Sequence, residues 1–140
     1  MAWAPALSAQ RSRESKESFD AIMSFYYCAL VSVSRIFIDP IWLLTGEQLP
    51  VIADATIHSH SLAALAHIER RLEKVGVEAC FYLPLLVGIS LEVRSEQHRE
   101  RVLDLFKIID RKGYPVALTL STDVGLAWST IKARHHCNNA

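Results

Sequence analysis

The sequence predicts an all-α domain: about five helices packed around a buried central apolar helix at residues 81–93, the whole being a fragment of a larger helical domain. Three observations carry this. Residues 50–75 and 96–112 repeat apolar side chains at a helical period, with charges on the other half of the wheel. Residues 81–93, FYLPLLVGISLEV, are apolar on nearly every side, as a helix enclosed by neighbours must be. The one stretch with strand-like content, PVALTLSTDVGLAW, has no second strand to pair with.

Residues 1–17 end in SAQRSRESKES and read as a flexible lead-in. A helix starts at Ser18, whose hydroxyl can cap free backbone N–H groups, and runs to Phe37. Its apolar content is nearly continuous, so its length rather than its period argues for a buried helix. Asp39-Pro40, Gly46 and Pro50 break the chain. In the helix at 50–75, Pro50 suits the first turn. Leu62, Leu65, Ala66, Ile68, Leu72 and Val75 share one half of the wheel, Arg70, Arg71 and Lys74 the other, and Gly76 is placed as its cap. Pro84 either opens the next helix in its first turn or kinks one begun near Ala79. Ser95 is a good N-cap for 96–112, and Glu96 suits the positive helix end. Val102, Leu103, Leu105, Phe106 and Ile109 face inward; Glu100, Asp104, Lys107 and Arg111 lie opposite, with Asp104 and Lys107 paired one turn apart. Gly113 ends this helix. Pro115 opens the last one, which frays before HHCNNA. The domain therefore covers 18–130, and 131–140 is a disordered tail.

The 140 residues suit one domain. Fifty-one per cent are hydrophobic and the mean hydropathy is +0.18, an excess that points to apolar surface meant for a partner. Fifteen basic residues balance fifteen acidic ones, which leaves no field to attract nucleic acid. Cys28, Cys80 and Cys137 lie far apart without CxxC spacing, so they read as two core thiols and one tail thiol in a reducing compartment, not as a zinc or disulfide framework. The N-terminus lacks the pattern of a signal peptide, and the uncharged stretches 79–91 and 21–34 are shorter than the roughly 20 residues of a membrane span. A soluble, intracellular chain is expected.

Candidate chemistry is sparse. His58 and His60 point about 200° apart on a helix and cannot chelate together. His60 and His67 share a face but sit two turns apart, roughly 10 Å, too far for one zinc. His135, His136 and Cys137 fall in the expected tail, and His98 among surface charges. Glu69 and Glu73, one turn apart, are surrounded by Arg70, Arg71 and Lys74 and read as a solvated face. Arg94, Arg99, Arg101, Lys107, Arg111 and Lys112 are interleaved with Glu96, Glu100, Asp104 and Asp110, and no aromatic residues alternate with them. GxSxG, P-loop, GxGxxG and HExxH patterns are missing. No catalytic, cofactor-binding or metal-ligating residue is assigned, and no cofactor. The competing enzymatic reading is a small α-helical enzyme whose site is built from distant residues, with His58 on the apolar side and Asp54 one turn before it.

FYYCALVSVSRIF, IHSHSLAALAHIERRL and the run from Phe81 to Trp128 together resemble the C-terminal part of the fungal-specific transcription factor domain, which follows the zinc binuclear cluster of many fungal regulators. The matching features are the aromatic start and Pro-Leu step at Phe81–Leu85, the small-residue apolar turn at Val87–Ser90, the helix start at Arg94–Arg101, the run Val102–Ile109, the stop at Lys112–Gly113 and the late Trp128. The resemblance covers about residues 20–130. It implies a nuclear regulatory or interaction domain, not an enzyme, whose partner is another copy or a full-length zinc-cluster regulator. The six closely spaced cysteines of that family are absent, so DNA binding does not carry over to this chain. Nor is the longer helical region that usually lies upstream present, which implies a truncated pathway-specific regulator or a fragment without independent function.

Overall fold

The opening helix is longer than the sequence predicts. In this computed structural model, which describes residues 4–46, 49–50 and 52–137, α1 runs from Ala4 to Phe37. The expected lead-in at 1–17 is thus helical from residue 4, and Ser18 caps nothing. The physical reason lies in Glu17, whose carboxylate meets Arg71 Nη1 at 3.5 Å and Lys74 Nζ at 3.6 Å. These ion pairs fasten α1 to α3 at the end of that stretch, and the Ala, Arg, Glu and Lys ahead of it are good helix formers.

A short α2 (Ile41–Thr45) follows, stopped by Gly46, which takes the left-handed conformation at φ 71° that glycine adopts without strain. Helix α3 (Asp54–Leu72) starts four residues after Pro50 and ends before Gly76. Gly76 is not its cap: φ is −97°, and the Arg71 carbonyl is closed by the N–H groups of Lys74 and Val75. The buried line of α3 is Ile57, Ser61, Ala64, Leu65, Ile68 and Leu72, while Leu62 and Ala66 of the expected face are half-buried. A 3-10 turn (Val77–Phe81) leads into α4 (Tyr82–Ser90). Pro84 lies in the first turn of α4, where its missing N–H costs nothing. Helix α5 (Glu96–Arg111) is capped as expected: Ser95 Oγ accepts from the His98 N–H at 3.2 Å, and Gly113 takes φ 100° after its end. Lys107 meets Asp104 at 2.8 Å. Helix α6 (Val116–Cys137) is one continuous helix, so the backbone of 131–137 is helical rather than a tail.

The fold is all-α, with five helices of nine residues or more and, among the described residues, no strand. Helix α4 packs against α1, α3, α5 and α6 and is central, as the sequence predicts. Leu86 and Ile89 are fully buried there with Leu65, Ile68, Phe106 and Ile109. The enclosure is not complete, because Pro84 and Gly88 are exposed and Phe81 leaves 63 % of its surface in solvent. Trp128 fixes α6 to this centre: its indole N–H donates to the Ser90 carbonyl at 2.8 Å, and the Arg99 guanidinium sits 5.1 Å above its ring.

Candidate functional site

Three features outside the apolar core concentrate chemistry. The first is a charged groove of about 660 Å³ where the end of α1, the start of α3 and the α4–α5 loop meet. Arg35 makes a two-armed bond to Glu92, which is 8 % exposed, and reaches Asp54 at 3.4 Å. That pairing with Glu92 holds the Arg35 guanidinium even more firmly charged than usual. Arg94 closes on the other oxygen of Asp54 at 2.6 Å. Asp54 therefore faces two guanidinium groups and not His58. The His58 Nδ1–H instead donates to the Glu92 backbone carbonyl at 2.9 Å, since a carbonyl only accepts. The groove is a salt-bridge node that joins three segments.

The second feature is the α1–α3 seam. Asp20, 5 % exposed, accepts from His67 Nδ1–H at 2.7 Å and from Arg70 at 3.0 and 3.1 Å. Burial alone would raise the Asp20 carboxyl, but the hydrogen bonds and charges of Arg70 and His67 outweigh it and hold it below the usual carboxylate range. The Tyr27 ring spans His60 and His67, with centroids 5.6 and 5.9 Å away. So the two-turn gap that denies these histidines a shared metal is filled by a phenol ring. Both are half-buried packing groups. Arg70, Arg71 and Lys74 turn toward α1, whereas Glu69 takes Arg101 of α5 in a two-armed pair at 2.6 and 2.7 Å. Asp20→Asn is expected to cost about 1–3 kcal/mol at neutral pH, the scale of a lost charged hydrogen bond. A carboxyl lowered by folding stabilises fully above its unfolded value of 3.8 and loses that effect as pH falls through the folded value. The difference between wild type and variant in urea unfolding should therefore shrink from pH 7 toward pH 3.

Cys28 is buried, and burial pushes its thiol up to about 12, which leaves it an inert core group. Cys80 is half-buried rather than core. The side chains of His135, His136 and Cys137 lie outside the described residues. Among the described residues, no three His, Cys, Asp or Glu side chains converge.

The third feature is the outer face of α1, where burial is inverted. Its inner stripe carries Asp20, Ser24, Cys28, Val31 and Ser34, all buried. Ser24 and Ser34 are satisfied within the helix, their hydroxyls donating to the carbonyls of Asp20 and Leu30 at 2.7 and 2.6 Å. Phe19, Ile22, Phe25, Tyr26, Val33 and Ile36 face solvent, each between 43 and 66 % exposed. The sequence hid this because 21–34 reads as one apolar run. The signal was the placement of Asp20, Ser24 and Ser34 on a single stripe. By length and composition Ser12–Phe37 could also cross a bilayer, a reach that counting uncharged residues alone understated. Within this fold its Asp20 and Arg35 are tied to polar partners on α3 and the α4–α5 loop.

Comparison of the chain with protein-family models, with curated proteins and with solved structures gave no match.

Proposed function

We propose that this chain is a transcription-regulator-like helical domain that acts by binding another protein and not by chemistry of its own. The observation that carries this reading is the outer face of α1. Large apolar side chains lie there in solvent while serines and an aspartate occupy the covered side. A contiguous apolar surface of that extent is characteristic of an interface. The balanced charge of fifteen against fifteen supports a protein partner over nucleic acid. The resemblance to the fungal-specific transcription factor domain supplies the setting: a nuclear regulatory domain that associates with itself or with a full-length zinc-cluster regulator.

The test is a tethering experiment. The full chain, fused to an unrelated DNA-binding domain in a filamentous fungus or yeast, is expected to change expression of a reporter carrying the matching site. Ile22→Asp, which places a charge on the outer face, should abolish the change without altering fusion level. A fusion that accumulates in the nucleus and leaves the reporter untouched would remove the regulatory reading.

A further inference from the structure

We propose that the outer face of α1 is covered by a second copy of this chain, with α1 antiparallel to α1 about a two-fold axis near residues 27 and 28. This names the partner for the association reading above and rests on it.

The spacing favours a helix as the occupant. Phe19, Ile22, Tyr26, Ala29, Val33 and Ile36 follow one another in alternating steps of three and four, and all six are exposed. That repeat is the seam by which one helix packs along another. Beside it lie Ser18, Phe25 and Ser32 on one flank and Met23, Leu30 and Phe37 on the other, none of them charged. A helix lying on a bilayer surface would carry Lys or Arg along those flanks. The stripe is instead broad and uncharged, as in helices that face another helix across a dry interface.

The sequence of the stripe is self-complementary in one direction. Antiparallel pairing centred between Tyr27 and Cys28 sets Phe19 against Ile36, Ile22 against Val33 and Tyr26 against Ala29. Each pair joins a larger side chain to a smaller one. Parallel pairing would stack Tyr26 on Tyr26 and leave Ala29 facing Ala29. Antiparallel helix dipoles also attract. The seam is roughly 26 Å long. The six large half-exposed side chains of this face offer on the order of 600 Å² per copy, against about 800 Å² per partner in a standard interface. Ile38 and Ile41 extend the apolar surface beyond the end of α1.

Sedimentation equilibrium of the purified full chain, from about 1 to 100 μM, should show a monomer–dimer equilibrium with a micromolar Kd. Ile22→Asp should weaken it by on the order of 100-fold while the helical circular dichroism signal stays. Val33→Lys, at the position the register sets against Ile22, should weaken it to a similar degree. The chain carrying both Ile22→Asp and Val33→Lys should regain part of the loss, because each charge then faces its opposite across the seam. Val33 is exposed, so its variant keeps the test alive if Ile22→Asp fails to fold. A monomer at every concentration overturns the proposal. So does a dimer indifferent to Ile22→Asp, or an Ile22→Asp, Val33→Lys pair that fails to compensate. Binding of the monomer to anionic phospholipid vesicles would reassign the face to a bilayer. A dimer that leaves the tethered reporter silent removes the regulatory reading alone. A responsive reporter with a monomeric chain removes this inference alone.

Discussion

Replacing Trp128 by Ala is expected to lower the stability of the folded chain by about 3–5 kcal/mol, enough to shift Tm by roughly 10 °C or more. The indole is 6 % exposed and belongs at once to three helices. It projects from α6, donates to the last carbonyl of α4 and lies under the Arg99 guanidinium of α5. Removing it opens a cavity and unfastens α6 from the centre. Trp128→Phe separates the two contributions. It keeps a ring in the cavity and gives up the 2.8 Å bond to Ser90. Because the Val93 N–H also bonds that carbonyl at 3.2 Å, the oxygen is not orphaned, and a loss of about 1 kcal/mol is expected. Urea unfolding followed by circular dichroism measures both variants. Equal losses for Ala and Phe would contradict the packing role assigned to the ring.

The second large effect is at the centre itself. Leu86→Ala in α4 should cost about 2–5 kcal/mol, because Leu86 is fully buried where α4 meets the other long helices and the site cannot collapse freely. Leu44, also an aliphatic residue but 87 % exposed, serves as the control. Leu44→Ala should stay within about 0.5 kcal/mol. The same denaturant midpoints test this contrast. If the two variants lost equal stability, α4 would not be the centre of the core.

What the sequence made legible was local. The Ser95 cap, the Gly113 stop, the inward face of α5 and the Asp104–Lys107 pair all depend on residues within one or two turns of each other. The period fixed them. What it missed depends on partners far along the chain. Glu17, the last residue of the expected lead-in, pairs with Arg71 and Lys74, and no rule of composition connects them. The face of α1 that turns inward is set by Asp20 reaching His67 and Arg70, 47 and 50 residues away. Glu69 looked like a solvated carboxylate beside Arg70, yet its partner is Arg101 on another helix. Asp54 and His58 are neighbours on one helix, yet tertiary packing sends them to different partners.

The inner stripe of α1 has a consequence for how the molecule opens. Helices α3, α4 and α5 are joined through large aliphatic and aromatic side chains, and separating them exposes most of the core. Helix α1 lies along α3 over a long seam, but it contributes only Cys28, Val31 and the Tyr27 ring beside its ion pairs, while its buried serines bond their own helix. Hydrogen exchange is therefore expected to show the amides of α1 opening before those of α3, α4 and α5. A second copy that grips only the docked α1 makes that step rarer as the chain becomes more concentrated. The amides of α1 would then behave as a gauge of how much of the protein is alone.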